Sequence, residues 1–138
     1  MLEQCLLLGT LGFHSLEDIR RKEITLMVTL GSAMACLICH IIFQSHSIYN
    51  MLGGMVFGGM ILLFSILSRG KIGPGDGMVF MLTGLYLGAE KNLTLMFLSF
   101  MFAAGWSLIA IGILHKNLKD KIPFIPFLFL AYLVILAI

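Results

Sequence analysis

Long apolar runs alternate with short polar or charged knots along this chain, and the run lengths predict helices that cross a membrane. Residues 2–16 are mostly apolar (Leu2, Leu6, Leu7, Leu8, Leu11, Phe13, Leu16). They fall short of the ~20 residues a spanning helix usually needs but read as the first helix. A charged cluster follows: Glu17, Asp18, Arg20, Arg21, Lys22 and Glu23. Residues 24–43 are an uncharged apolar run of spanning length, and residues 44–50, with His46 and Tyr49, form a short polar loop. Residues 51–68 make another span, which carries Gly53, Gly54, Gly58 and Gly59; small residues four apart, as Gly54 and Gly58 are, let membrane helices pack closely. A second charged loop covers residues 69–76, and residues 77–89 form a short apolar segment with Gly84 and Gly88 again four apart. Glu90, Lys91 and Asn92 read as a brief turn, residues 93–114 as a comfortable span, and residues 115–121 as a third charged loop. The last run, residues 122–138, opens with Pro123 and Pro126, residues tolerated in a first helical turn. The expected fold is an all-α, polytopic integral membrane helical bundle of about six transmembrane helices, one domain over residues 1–138.

Composition supports the membrane assignment. The chain is 59% hydrophobic and 12% charged, with a mean hydropathy of +1.03. A soluble domain is about a quarter charged, so too little polar surface exists here to surround a core. A formal net charge of +2 is too small to point to a nucleic-acid partner. The first segment lacks a basic start and a small-residue cleavage site, so no separate signal peptide is expected. Cys5, Cys36 and Cys39 all lie in apolar segments, which argues against a disulfide framework. Cys36-Leu-Ile-Cys39-His40 matches the C-x-x-C-H pattern of c-type haem attachment. That attachment needs an accessible segment, so helix packing is the preferred reading. No cofactor and no metal site are expected.

The loops orient the chain. If the helices alternate, residues 17–23, 69–76 and 115–121 share one side, with Arg20, Arg21, Lys22, Arg69, Lys71, Lys116, Lys119 and Lys121. Lys91 stands alone on the other. Cytoplasmic loops carry the excess of Lys and Arg. The expected placement is the plasma membrane, multi-pass, with the three charged loops in the cytoplasm and both termini outside.

The one Gly/Pro-dense knot is Lys71-Ile72-Gly73-Pro74-Gly75-Asp76-Gly77-Met78. It removes side-chain bulk and interrupts any helix around Asp76, a carboxylate at the mouth of an apolar segment. Such a charge is costly and marks a candidate functional site. Five of the seven acids, Glu17, Asp18, Glu23, Asp76 and Asp120, lie on the expected cytoplasmic side. Two close carboxylates share a proton, one acting as base on water and the other as acid toward a carbonyl oxygen. Periodicity alone does not choose a partner for Asp76 among the other four.

Three segments carry a resemblance. Asp18-Ile-Arg-Arg-Lys-Glu-Ile-Thr25 is similar to the D-x-R-x-x-x-I-P segment of type IV prepilin peptidases, Gly73-Pro-Gly-Asp76 to their G-x-G-D motif, and Ile122-Pro-Phe-Ile-Pro-Phe-Leu128 to their I-P-F-x-P-F-L. The three come in the family's order. A lone G-x-G-D is weak and occurs in presenilin-like proteases too, but those carry a P-A-L motif that this chain lacks. The whole chain resembles the short, membrane-core-only branch that includes Tad/Flp-type prepilin peptidases and archaeal preflagellin peptidases. The resemblance implies an aspartic endopeptidase with an Asp18/Asp76 dyad. It implies cutting of the leader from prepilin-like proteins at the cytoplasmic membrane face, usually just after a glycine. It implies no cofactor, and its partners are prepilin-like substrates and the lipid bilayer. Thr25 stands where the family often has Pro, and Met78 where Lys often follows the G-x-G-D; Lys71 or Arg69 are the candidate substitutes for that charge. The cysteine-rich zinc segment of the long, bifunctional enzymes is not found, so peptidase activity alone is expected, without N-methyltransferase activity.

Other assignments are weighed against plainer ones. Asp76 alternatively is an acid favoured by a helix N-terminus, and Asp18 a charge paired with Arg21 or Lys22. Glu17, Glu23 and Asp120 read as solvated charges. His14, His40, His46 and His115 have no mutual spacing that marks a site. Gly73, Gly75 and Gly77 are candidates for letting a substrate backbone pass close to Asp76, and Pro123 for shaping the floor of the site. The alternative to an enzyme is a catalytically inactive homologue, or a small membrane scaffold or transport protein.

Overall fold

A computed structural model describes residues 1–44, 46–69, 73–117, 119 and 121–138. Lys71 and Asp120, both singled out in the sequence, lie outside the described residues. Among those described there are five helices and no strand: α1 (Leu2–Arg21), α2 (Leu26–Phe43), α3 (Ile48–Leu67), α4 (Pro74–Gly112) and α5 (Ile125–Ala137). α2, α3 and α4 are long and apolar enough to cross a membrane, so the protein is a helical membrane protein.

The count departs from the six separate helices expected. The turn assigned to Glu90, Lys91 and Asn92 is helical, and the interruption falls earlier, at Gly88, with φ 76° and ψ 179°. Only glycine takes that backbone conformation readily. Asn92 Nδ2 donates to Phe80 O at 3.2 Å, and Thr83 donates to Asn92 Oδ1 at 2.7 Å. In an unbroken helix residues 80 and 92 would be ~18 Å apart. The chain therefore reverses at Gly88 and α4 is a hairpin of two limbs. Asn50 of α3 holds the bend by accepting the Ala89 N–H at 3.0 Å, and a Cβ on Gly88 would collide with the Asn50 amide. Gly88→Ala is expected to destabilise the fold by ~1–3 kcal/mol, read as a lowered unfolding midpoint in detergent; a midpoint equal to the parent's would refute this role for the bend.

The charged cluster also differs from expectation. α1 continues through Glu17 to Arg21 and ends at Lys22, which takes a left-handed conformation (φ 54°). The last helix starts at Ile125, later than residue 122: Pro123 precedes the N-cap Phe124, and Pro126 takes the first turn.

Glycine governs how α3 meets the first limb of α4. Gly54 faces Gly84 backbone to backbone, Gly58 lies on the Met81 backbone, and Gly77 lies on Leu62. α5 runs antiparallel to α1, with Ile125 beside Asp18, Phe129 against Gly12 and the Tyr132 hydroxyl donating to Gln4 O. The core joins the α1 residues Leu7 and Leu11 to Val79, Phe80 and Leu95 of α4 and to Leu128 and Tyr132 of α5. Cys36 and Cys39 are buried on the inner side of α2 as free thiols, and Cys36 belongs to this core.

Candidate active site

The C-terminal end of α1 and the N-terminal ends of α4 and α5 meet at one end of the bundle. Ile24, between α1 and α2, packs on Gly75 at the start of α4, where a Cβ would come within 2.7 Å of its Cδ1. Ile125, at the start of α5, donates its N–H to Asp18 Oδ2 at 3.0 Å. The rings of Phe80, Phe100 and Phe124 stack in a triangle with centroids 5.3–6.0 Å apart. Asp18 and Asp76 both belong to this end.

Asp18 is the last inward-facing residue of α1 and is 8% exposed. Its Ile125 contact places a carboxylate at the N-terminus of α5, where free N–H groups and the helix dipole favour an anion. Its partners are therefore backbone groups of α5, where the charge pairing weighed in the sequence had pointed to Arg21 or Lys22.

Asp76 occupies the first turn of α4, one turn beyond the N-cap Gly73, with Pro74 opening the helix. Proline suits that position because no helical partner exists there for an N–H. Asp76 is half-buried. It forms the charged wall of a cavity of about 350 Å³ that is otherwise lined by apolar side chains, among them Phe57, Ile61, Phe80, Phe100 and Phe124. Asp76 shares that cavity wall with Phe124, the neighbour of Ile125 to which Asp18 is bonded. The two aspartates thus share one end of the bundle.

The remaining singled-out residues divide. Gly73 is exposed and open except toward the Asp76 carboxylate, 3.7 Å from where its Cβ would stand. Gly75 and Gly77 make room for this chain's own Ile24 and Leu62. Pro123 is half-buried and precedes Phe124, a wall of the cavity. Arg20, Arg21, Lys22, Glu23, Arg69, Lys116, Lys119 and Lys121 are all exposed. Among the described residues no group of three or more His, Cys, Asp or Glu side chains is placed to hold a metal ion.

Glu17 is not the solvated charge expected. Its Oε2 accepts the Thr25 N–H at 3.1 Å and lies 3.2 Å from His14 Nδ1, and its Oε1 accepts the Thr25 hydroxyl in a very short hydrogen bond. His14, fully buried, meets the Thr29 hydroxyl at 3.1 Å through Nε2. The spacing of His14, Glu17 and Asp18 on one helix was visible in the sequence. The return of Thr25 and Thr29 to that helix depends on how α2 packs, which no local spacing reveals.

Among the described residues this membrane protein is all helical and brings two carboxylates to one end, beside an apolar cavity. The chain belongs to the type IV leader peptidase family, whose model matches residues 5–109. The match includes Asp18 and Asp76; the segment with Pro123 lies beyond it. No curated protein and no solved structure matched the chain.

Proposed function

We propose that this protein is an aspartic endopeptidase that removes the leader peptide from prepilin-like substrates at the cytoplasmic membrane face, with Asp18 and Asp76 as its dyad. The supporting observation is the convergence of both carboxylates on one end of the bundle, Asp18 bonded to Ile125 and Asp76 on a cavity wall with the adjoining Phe124. Like charges at short range favour one proton shared between them, and the pair titrates as a unit. The ionised member takes a proton from water as the water oxygen bonds to the scissile carbonyl carbon. The protonated member gives its proton to the carbonyl oxygen, so a neutral gem-diol forms. When the C–N bond breaks, the leaving nitrogen takes the proton held by the first carboxyl. A diol hydroxyl returns its proton to the second, and the dyad is restored.

Residues 1–138 act as one domain with six crossing segments: α1, α2, α3, the two limbs of α4, and α5. The excess of Lys and Arg in the loops at the aspartate end supports a cytoplasmic position for that end, with both termini outside. A prepilin's apolar helix docks laterally from the lipid, which fixes the register of the scissile bond and turns a loose encounter into a positioned reaction. The test is co-expression in membranes with a candidate prepilin, reading leader loss as a gel shift. Cleavage by the unmutated protein is expected. If no prepilin is cut, the alternative stands: an inactive homologue acting as a scaffold. Asp18 favours that reading to the extent that it serves as a cap for α5.

A further inference from the structure

We propose that Glu17 is a positioning residue for the dyad: by clamping Thr25 it seats Ile24 against Gly75 and so sets the separation of Asp18 and Asp76. The inference rests on the peptidase reading only for its effect on cleavage; the mechanical link is independent of it.

Glu17 directly precedes Asp18 on α1, so anything that anchors Glu17 anchors the start of the linkage. Its carboxylate accepts two donors from Thr25, the backbone N–H and the hydroxyl. Thr25 is the N-cap of α2, yet its side chain makes no capping bond to its own helix; the hydroxyl that usually serves an N-cap is spent on α1. His14 backs Glu17 from the other side, and Thr29, one turn into α2, holds His14 in place while also contacting Thr25 O at 3.2 Å. The result is a closed ring of side chains binding the last turn of α1 to the first turn of α2. Ile24 is the residue before Thr25, and its side chain rests where a Gly75 Cβ would be. Asp76 follows Gly75. One route from Asp18 to Asp76 therefore runs through Glu17, Thr25, Ile24 and Gly75, each step a covalent bond, a hydrogen bond or a packed contact.

This gives Thr25 a reason to differ from the family pattern. A proline there would lack both the N–H and the hydroxyl, but its ring would stiffen the same connection by fixing φ near −65°. Thr25 has φ −74°, a conformation proline accepts. Hydrogen bonds to Glu17 thus replace the covalent stiffness of a proline ring.

The test measures distance without substrate. Spin labels are placed at Arg20→Cys and Pro74→Cys, both exposed positions flanking the two aspartates. Cys5, Cys36 and Cys39 are replaced by alanine, and the protein is reconstituted in lipid nanodiscs. Glu17→Ala is expected to broaden and shift the label-to-label distribution by a few ångströms, and Thr25→Pro added to it to restore a narrow one. Thr25→Ser, which keeps both donors, should match the parent. In the cleavage assay Glu17→Ala should lower kcat by ~10²-fold with KM unchanged, since helix docking is intact and only alignment is lost, and the added Thr25→Pro should recover it. A distribution unchanged in Glu17→Ala overturns the proposal. If Glu17→Ala is lost from the membrane, Thr25→Val decides: it removes the hydroxyl bond and leaves the N–H bond to Glu17, so a smaller broadening is expected, and a distribution identical to the parent's overturns the proposal. A chain that cuts no prepilin yet shows the distance changes would refute the peptidase reading and leave the clamp standing.

Discussion

Asp18→Asn and Asp76→Asn are each expected to lower leader cleavage roughly 10²–10⁴-fold, the usual contribution of general acid–base catalysis, while the protein remains in the membrane at its normal level. Asparagine is the informative replacement at residue 18. Its side-chain oxygen still accepts the Ile125 N–H, so the junction of α1 and α5 survives while the titratable group is gone. Asp18→Ala removes both, leaving a buried N–H without a partner at a cost of ~1–3 kcal/mol. The three variants thus separate chemistry from capping. Asp18→Asn should be as stable as the parent and inactive, Asp18→Ala unstable and inactive, Asp76→Asn stable and inactive. Retained cleavage in Asp18→Asn would remove that residue from the dyad and leave it as a helix cap. The next acids to test would then be Glu23 and Asp120.

The second large effect concerns the helix contact that carries Asp76. Gly84→Ala and Gly54→Ala should each loosen the junction of α3 with the first limb of α4, because a Cβ on either residue would fall inside the backbone of the other. Backbone cannot rotate away as a flexible side chain can, so the helices must separate. Overpacking costs about 1–3 kcal/mol and occasionally more. Gly59 and Gly105 have no atom within 4 Å of a built Cβ, and alanine there should be neutral or slightly stabilising, since glycine is a poor helix former. Thermal unfolding of the four variants in one detergent decides the matter. Equal midpoints for Gly84→Ala and Gly59→Ala would show that close approach is not what holds this pair together.

The sequence made the helices visible where apolar length was enough, as in α2 and α3, and it marked the end of the bundle where Lys and Arg collect. It read all four glycines of α3 as packing positions, which holds for Gly53, Gly54 and Gly58 but not for Gly59, which faces open space. It misplaced the reversal of α4 by reading the polar triplet at residues 90–92 as the turn. Polarity marks exposure, whereas the bend needs a residue free to take positive φ and a partner for the freed Ala89 N–H. Gly88 was in plain view, but Asn50 comes from another helix. Asp18 and Asp76 were legible through ordered motifs. The bonds of Glu17 to Thr25 and of Asp18 to Ile125 span eight and 107 residues, and no local pattern announces them.

The reversal at Gly88 also bears on the lipid. Residues 74–87 at ~1.5 Å per residue give a limb only about 21 Å long, and the 13 residues of α5 give about 20 Å. The hydrocarbon layer of a typical bilayer is ~30 Å thick. The first limb and Phe124, which leads into α5, border the cavity beside Asp76, so if both short elements cross, as proposed, the membrane on this side is expected to thin to meet them. Water and headgroups then stand closer to the reacting end than they would beside a full-length helix, and a passing helix of ordinary length would have to tilt or project. Bilayers of shorter acyl chains should therefore suit this protein better than thick, sterol-rich ones.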